Sequence, residues 1–112
     1  FDGRITAAIQ LMESNISEPL SMAELTQQLG VSTRQLERQF REVFNDTPAK
    51  FYKRIRSKQA RAMIQETLLP IIDVAVATGF GSCSTLAKAV KDEYGQTPAK
   101  MRERRTVDLV NF

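Results

Sequence analysis

Two segments of the chain are similar to each other and lie about fifty residues apart. Residues 29–50 read LGVSTRQLERQFREVFNDTPAK, and residues 78–100 read TGFGSCSTLAKAVKDEYGQTPAK. Gly30 matches Gly79, 49 residues later, whereas the TPAK sequence recurs after 50 residues, so one residue has been inserted between these points. Each copy has the pattern of a helix, a glycine turn, a second helix and a helix that begins at proline. This pattern predicts a doubled helix-turn-helix, which suggests two reading heads for one stretch of DNA.

The length and composition are those of a globular chain, and they exclude several classes of function. The 112 residues suffice for one domain or two very small ones, with a modest core but no large enclosed active site. The sequence has no histidine and one cysteine, so it offers no imidazole base, no internal disulfide and no cysteine-based zinc site. It shows no pair of nucleophile and base, no metal cluster and no glycine-rich phosphate loop. We therefore expect neither an enzyme nor a bound metal or cofactor.

Three sequence features bear on where the chain would work. A single cysteine favours the reducing cytoplasm. The longest apolar runs are far shorter than the ~18–20 residues of a membrane span, so no membrane partner is expected. The start, FDGR, shows no signal peptide and no initiator methionine, which favours a fragment of a longer protein.

The positive charge of the chain is concentrated in one region. Residues 1–31 carry a net charge of −3, residues 32–61 carry +6, and residues 62–105 carry +1. The basic region contains the second helix of the first repeat and the segment that follows it. We therefore expect a polyanion to bind to this region.

Apolar periodicity, caps and breakers predict an all-α fold with about seven helices. A capping box at Ser21–Glu24, glycine at the end of the next helix and serine caps at Ser32 and Ser82 mark the boundaries most clearly. The expected helices cover about residues 2–15, 21–30, 32–44, 48–66, 70–78, 82–94 and 98–105. The expected inward-facing residues are Ile5, Ala8, Ile9, Met12, Leu25, Leu29, Leu36, Phe40, Val43, Phe44, Phe51, Ile55, Ala62, Met63, Ile72, Ala75, Val76, Leu86, Ala89 and Val90.

These helices are expected to form two helix-turn-helix lobes joined by a long linker helix. Lobe one covers about residues 4–47, the linker helix about 48–66 and lobe two about 68–105, followed by a tail at 106–112. No glycine or proline interrupts the linker helix, so we expect a stiff spacer. Two such heads on one chain need no dimer to contact major-groove segments about 34 Å apart, and the DNA must bend to meet both unless the protein flexes.

The second helix of a helix-turn-helix enters the major groove with its N-terminal turns against the base edges. With Leu36 and Phe40 in the core, the opposite face of the first such helix presents the expected base-reading residues Thr33, Arg34, Glu37 and Arg38. Arginine can donate two hydrogen bonds to guanine, and glutamate can accept one from cytosine. Arg41 lies a turn or more deeper and is expected on phosphate. The alternative is a solvated charged face with an ion pair such as Arg34–Glu37.

The corresponding helix of the second repeat is expected to discriminate less between sequences. Its expected base-reading residues are Cys83, Ser84, Thr85 and Lys88, with Lys91 on phosphate. Small hydroxyls can serve any base or a thymine methyl, and Lys88 is the one long donor. The alternative is a helix that mainly braces its lobe. Cys83 lies near a helix start, and a redox role is an alternative for it, but a small residue near DNA is the plainer interpretation.

Further phosphate contacts are expected at helix N-termini and in the basic region. The helices that Ser32 and Ser82 cap can hold phosphate through free backbone N–H groups. Residues 50–61 hold six basic residues and no acid, of which Lys50, Lys53 and Arg54 are assigned to phosphate and the rest to solubility. The counterparts in the second repeat are Lys100, Arg102, Arg104 and Arg105, of which Lys100 is assigned to phosphate.

From about Arg4 to Arg105 the chain resembles the AraC/XylS transcriptional regulators. The resemblance is carried by LSMAELTQQLGVSTRQLERQFREVFNDTPAKFYKRIR and PIIDVAVATGFGSCSTLAKAVKDEYGQTPAK, in which both repeats and the linker agree in order. It implies a C-terminal DNA-binding domain of two helix-turn-helix lobes, activation of transcription, and contact with RNA polymerase. It also implies base contacts from Arg34, Glu37, Arg38, Cys83, Ser84, Thr85 and Lys88.

The chain departs from the usual family pattern at five positions. Thr26 replaces a usual small alanine, and Ser57 replaces a usual leucine. Leu86 and Val90 stand where phenylalanine is frequent, and Lys88 where arginine is frequent. The lead-in, RITAAIQLMESNISEPLSMAELTQQLGVSTRQLERQF, resembles most the subgroup with an amidase-like DJ-1/PfpI domain in front, some of whose members regulate amine, carnitine or betaine catabolism. An effector-binding N-terminal domain would then be missing from this chain.

Two functions remain open on the sequence. The first is a sequence-specific, double-stranded DNA-binding domain of a bacterial regulator. The alternative is a helical protein-interaction module that has kept the fold and lost DNA reading; steep salt dependence and a preferred sequence would distinguish the first from the second. RNA binding lacks exposed aromatics for stacking, because the core accounts for the phenylalanines at 40, 44 and 51.

Overall fold

The computed structural model describes residues 3–103, and these residues form helices and short connections. The helices are α1 Gly3–Ser14, α2 Met22–Leu29, α3 Thr33–Phe44, α4 Pro48–Glu66, α5 Ile71–Ala77 and α6 Cys83–Tyr94, with α7 at residues 98–103. No strand is present among the described residues. The all-α fold with about seven helices is thus confirmed. The predicted end of the last helix at Arg105 and the tail at 106–112 lie outside the described residues.

The chain divides into two compact units, residues 1–55 and residues 56–112, and the boundary falls inside α4. Unit one contains the first helix-turn-helix, formed by α2 and α3, and unit two contains the second, formed by α5 and α6. The first half of α4 therefore belongs to unit one and the second half to unit two.

In unit one, α1 packs on α2 and α3, and the first half of α4 closes the core. The residues buried in this core are Ala8, Met12, Leu25, Leu36, Phe40 and Tyr52. Three rings meet beside them: Phe40 lies 5.5 Å from Phe44 and 5.4 Å from Phe51, and Phe44 lies 4.6 Å from Phe51. Such tilted ring pairs add to the stabilisation from area burial.

In unit two, the second half of α4 takes the place that α1 has in unit one. The buried positions Ile5, Ala8 and Met12 of α1 have the same three- and four-residue spacing as Ser57, Ala60 and Ile64 of α4. The repeat therefore extends beyond the two segments that the sequence shows. The core residues of unit two are Ala60, Ile64, Val74, Ala75, Phe80, Leu86, Ala89, Val90 and Met101.

One polar side chain in each unit ties the end of the first helix to the loop that follows it. In unit one, the Tyr52 hydroxyl donates to the carbonyl of Asn15 and accepts from the N–H of Leu20 at 3.0 Å. In unit two, Arg102 donates through Nε to the carbonyl of Ile64 at 3.1 Å and through Nη1 to that of Leu69 at 2.7 Å. Tyr52 and Arg102 lie 50 residues apart, the same offset as the TPAK repeat.

The Tyr52→Phe variant is expected to unfold more easily by about 1–3 kcal/mol, because it leaves a carbonyl and an N–H of the partly buried loop without a partner. Tyr94→Phe is the matched control, since no hydrogen bond of the Tyr94 hydroxyl is present within residues 3–103, and a change within about 0.5 kcal/mol is expected there. Urea denaturation followed by circular dichroism measures both. Equal losses in the two variants would contradict the role of Tyr52.

Three of the predicted inward-facing residues are wrong. Val43 is 40% exposed, Ile72 is 46% exposed and Val76 is 58% exposed. At the last turn of α3, Phe44 rather than Val43 packs toward the core, because its ring contacts the ring of Phe51. Helix α5 is apolar on nearly all sides, so its periodicity does not determine which side is buried, and the core takes Val74 and Ala75 instead.

The buried face of α4 differs in part from the face that the sequence predicts. The expected residues Phe51, Ile55, Ala62 and Met63 are half-buried. The buried positions of this helix are Pro48, Tyr52, Ser57, Ala60 and Ile64. Ile9 and Leu29 are also half-buried. Phe44 is half-buried against the core of unit one, and the other predicted core residues of α1, α2, α3, α5 and α6 are confirmed.

Candidate nucleic-acid interface

Local hydrogen bonds set the start of α3. The Ser32 hydroxyl accepts from the backbone N–H of Gln35 at 3.1 Å, and the Gln35 side chain accepts from the N–H of Ser32 at 3.0 Å. This reciprocal capping box satisfies two of the N–H groups that a helix start leaves unpaired. Before it, Gly30 adopts a φ of 68°, which glycine tolerates best, and Val31 donates to the carbonyl of Thr26 at 3.2 Å. The turn and the first residues of α3 are therefore well defined.

Helix α3 presents one face to its core and the opposite face to solvent. Leu36 and Phe40 are fully buried. The exposed residues on the outer side include all those predicted to contact DNA from this helix, namely Ser32, Thr33, Arg34, Glu37, Arg38 and Arg41. Two buried side chains thus hold a cationic face in the solvent, where a groove of DNA could reach it.

The arginines on this face form no ion pair with a carboxylate of the described residues. Within the described residues 3–103, no salt bridge involves Arg34, Arg38 or Arg41, and the alternative ion pair of Arg34 with Glu37 does not form. No ion pair within residues 3–103 has to break before their guanidinium groups bind an external acceptor. Planar guanidinium groups suit the bidentate recognition of guanine or phosphate.

The basic residues that follow α3 in unit one differ in their surroundings. Thr47 caps α4 by accepting from the N–H of Lys50 at 3.2 Å, and the side chains of Lys50 and Lys53 are exposed. Arg54, by contrast, forms a salt bridge with Asp46, whose side chain is largely buried and also accepts from the N–H of Thr47. Sequence reasoning missed this pair. Any phosphate contact of Arg54 has to coexist with it.

In unit two, a cluster of hydroxyl groups opens α6. The Ser82 hydroxyl accepts from the N–H of Thr85 at 3.2 Å, donates to the Thr85 hydroxyl at 2.9 Å and lies 3.3 Å from that of Ser84. Cys83 beside them has an exposed free thiol. The predicted base-reading hydroxyls are therefore already linked to one another, which limits the directions in which they can donate.

The rest of the α6 face follows the prediction of exposure. Lys88 and Lys91 are exposed, while Leu86, Ala89 and Val90 are buried and hold the helix. The remaining candidate, Lys100, lies on α7, where its ammonium is 3.8 Å from the Glu103 carboxylate in a solvent-exposed pair. Such pairs contribute little and exchange readily for other partners. Arg104 and Arg105 lie outside the described residues.

The described part of the chain offers neither a metal-binding cluster nor a membrane-spanning helix. Among residues 3–103, no cluster of three or more histidine, cysteine, aspartate or glutamate side chains is suitably placed for a metal ion. No helix in the same range combines the length and the apolar character needed to cross a membrane. The exposed faces of α3 and α6 remain the candidate functional surfaces.

Two capped helices, each preceded by a packed helix and a glycine turn, define a helix-turn-helix protein of the DNA-binding class. A helix-turn-helix domain family matches residues 25–104. Over 102 residues, covering 91% of this chain, the sequence is 38% identical to the HTH-type transcriptional regulator ArgR of Pseudomonas aeruginosa. The match spans 31% of that relative's length. The chain belongs to the AraC family of transcriptional regulators, as a DNA-binding domain.

Solved structures agree with this assignment. The crystal structure of a transcriptional regulator with an AraC-type DNA-binding domain from Chromobacterium violaceum is 36% identical, with a TM-score of 0.86 and coverage of 92% of both chains. The DNA-binding domain of AdpA, solved in complex with a target DNA, is 20% identical with a TM-score of 0.86, covering 93% of this chain and 94% of that one. At 20% identity, the similarity to AdpA shows a shared fold and nothing more.

Proposed function

We propose that the chain is the sequence-specific, double-stranded DNA-binding part of a bacterial transcriptional activator, with α3 and α6 each reading one of two successive major-groove segments. The observation that carries the proposal is the outer face of α3, where Arg34, Arg38 and Arg41 are exposed and free of salt bridges within residues 3–103. Burial of Leu36 and Phe40 on the opposite side supports this orientation toward DNA.

Within this proposal the two helices have different tasks. Helix α3 reads bases through Thr33, Arg34, Glu37 and Arg38, because long charged donors and an acceptor stand at the positions that meet base edges. Helix α6 offers Cys83, Ser84, Thr85 and Lys88, and the links among its hydroxyls support a weaker discrimination. The proposed phosphate contacts are Ser32, Arg41, Lys50, Lys53, Arg54, Ser82, Lys91 and Lys100.

Selection of bound duplexes from a random DNA library at near-physiological salt tests the proposal. A motif in two parts, with centres about one helical turn apart, is the expected result. A single half-motif would restrict base reading to α3 and leave α6 on the DNA backbone. The absence of any enrichment would contradict specific DNA reading and would favour the alternative of a protein-interaction module.

Activation of transcription through contact with RNA polymerase is part of the same proposal and rests on the family resemblance. Transcription in vitro from a promoter that carries the selected site, with and without the protein, measures it. Increased transcript is expected from the intact regulator. A decrease would instead make the protein a repressor that uses the same DNA-binding surface. The DJ-1/PfpI-like domain in front of the chain stays a prediction.

Lys53→Ala is expected to weaken binding to every DNA sequence alike and to flatten the dependence of log K on log salt by about one, since one phosphate contact is lost. Lys58→Ala is the matched control, because Lys58 is an exposed lysine of the same helix that has no proposed contact. Titrations at several salt concentrations measure both slopes. An unchanged slope for Lys53→Ala would remove this residue from the interface.

A further inference from the structure

The turn between α5 and α6 contains the residue that distinguishes the two repeats. Unit one joins its helices through Gly30 and Val31 before the cap, whereas unit two uses Gly79, Phe80 and Gly81. Gly81 is thus the inserted residue. Both Gly79 and Gly81 have positive φ angles, of 77° and 78°, so the longer turn depends on two residues with unusually free backbones. The local sequence therefore restricts the backbone conformation of this turn less than that of the turn between α2 and α3.

A side chain from α4 contacts this turn directly. Arg56 Nη1 donates to the carbonyl of Gly79 at 3.0 Å and to that of Thr78 at 3.4 Å. Its guanidinium carbon lies 4.4 Å from the centroid of the Phe80 ring. One planar cation therefore contacts three consecutive residues through two carbonyls and a ring: Thr78 at the end of α5, and Gly79 and Phe80 of the turn. Charge-assisted hydrogen bonds and cation–π contacts are both stronger when partly buried, as here.

The backbone of the turn is itself bonded to the end of α5. The N–H groups of Phe80 and Gly81 both donate to the carbonyl of Ala75, at 2.9 and 3.2 Å, and that of Gly79 donates to Val76 at 3.2 Å. Ser82 follows at once and caps α6. The direction in which α6 leaves the turn thus depends on the same few residues that Arg56 holds.

We infer that Arg56 is a positioning residue, which fixes the glycine-rich turn and so sets how α6 presents its outer face to DNA. It compensates for the additional residue in the second turn. The inference about DNA rests on the proposed function, whereas the inference about the turn does not. Sequence reasoning had counted Arg56 only as one of six basic residues on α4.

Amide hydrogen exchange of the whole chain tests the role in the turn without DNA. Arg56→Met keeps the length of the side chain and removes the guanidinium. Arg61→Met is the matched control, because Arg61 is an arginine of the same helix and unit whose guanidinium lies 4.6 Å from the Tyr94 ring centroid rather than at the turn. We expect exchange at the amides of residues 79–81 to rise roughly tenfold or more in Arg56→Met alone. Equal exchange in the two variants would overturn the inference.

DNA binding then tests the consequence for reading. With the site obtained by selection, Arg56→Met is expected to flatten base preferences in the half contacted by α6 and to preserve those in the half contacted by α3. Arg61→Met is expected to preserve both. Equal loss in both halves for Arg56→Met would show a general effect of charge or stability and would overturn the positioning role. If no DNA site exists, the exchange result still stands, so the two failures are distinguishable.

Arg56→Lys keeps the test decisive if Arg56→Met does not fold. An ammonium cannot bridge two carbonyls and stack on a ring as one planar group does. We therefore expect exchange at residues 79–81 to rise several-fold, by less than in Arg56→Met. Exchange at the wild-type rate in a folded Arg56→Lys protein would overturn the inference.

Discussion

Replacement of Phe40 by alanine is expected to lower the free energy of unfolding by about 3–5 kcal/mol, the range observed when a buried phenylalanine is truncated. Phe40 is fully buried, and its ring is packed against those of Phe44 and Phe51. Its loss therefore removes apolar contact area and leaves a cavity between α3 and the first half of α4. Because small domains are stable by only about 5–15 kcal/mol, a loss of this size would leave unit one only marginally folded.

The matched control for this change is Val43→Ala, one turn further along the same helix. Val43 is an exposed apolar residue, so its truncation is expected to change stability by no more than about 0.5 kcal/mol. Chemical denaturation followed by circular dichroism and by amide signals of unit one measures both variants. If both variants lost the same small amount, the core of unit one would not be centred on Phe40.

Arg38→Ala is expected to weaken binding to the preferred DNA site by about 1–3 kcal/mol and to relax specificity at one position of the half contacted by α3. The reason is that a bidentate contact between arginine and guanine disappears together with its discrimination against other bases. Arg38 is exposed near the start of a well-capped helix, and no salt bridge within residues 3–103 competes for its guanidinium.

Arg41→Ala supplies the comparison, because Arg41 is an exposed arginine of the same face that lies nearer the end of α3. A phosphate contact there would make binding weaker on every sequence alike and would lower the salt slope by about one. Binding titrations against the preferred site and its single-base variants separate the two patterns. Uniform weakening by Arg38→Ala would show that Arg38, too, contacts phosphate.

Local signals explain most of what could be predicted of the fold from the sequence. The capping box of Ser21 with Glu24 forms as expected, and its hydrogen bonds from Ser21, first the backbone N–H and then the hydroxyl, lower the pKa of the Glu24 carboxyl. Ser32 and Ser82 cap their helices, and Gly30 ends α2 in the left-handed conformation. Each of these features depends on residues within three or four positions of one another, so the sequence contains the whole interaction.

Tertiary contacts account for what could not be predicted. Ile72 and Val76 have the same apolar character as their buried neighbours, and only the packing in unit two decides which side of α5 faces inward. The hydrogen bonds of Tyr52, Arg56 and Arg102 join residues more than twenty positions apart. A polar side chain on a helix gives no sequence signal for such a partner. For that reason the sequence assigns Arg56 only to solubility and Arg102 only to the basic residues that end the second repeat.

For the candidate site, the sequence predicts which side chains are exposed but not which group of DNA each one contacts. Helical periodicity correctly indicates that the predicted contact residues of α3 and α6 are exposed, because Leu36, Phe40, Leu86 and Val90 fix the opposite face. Which exposed residue contacts which group of DNA stays a prediction. The pairing of Arg54 with Asp46 illustrates the difficulty, since the two residues lie eight positions apart and the pair forms only when α4 begins where it does.

The sharing of α4 between the two units bears on how such a protein can change in evolution. Duplicated domains that are joined by a loop can be exchanged, lost or multiplied one at a time. Here any break between the copies would cut α4. Each core would then lose buried residues, since Tyr52 belongs to the core of unit one and Ala60 and Ile64 belong to the core of unit two. We therefore expect the two copies to be inherited as a pair, with each diverging by substitutions on its own exposed face.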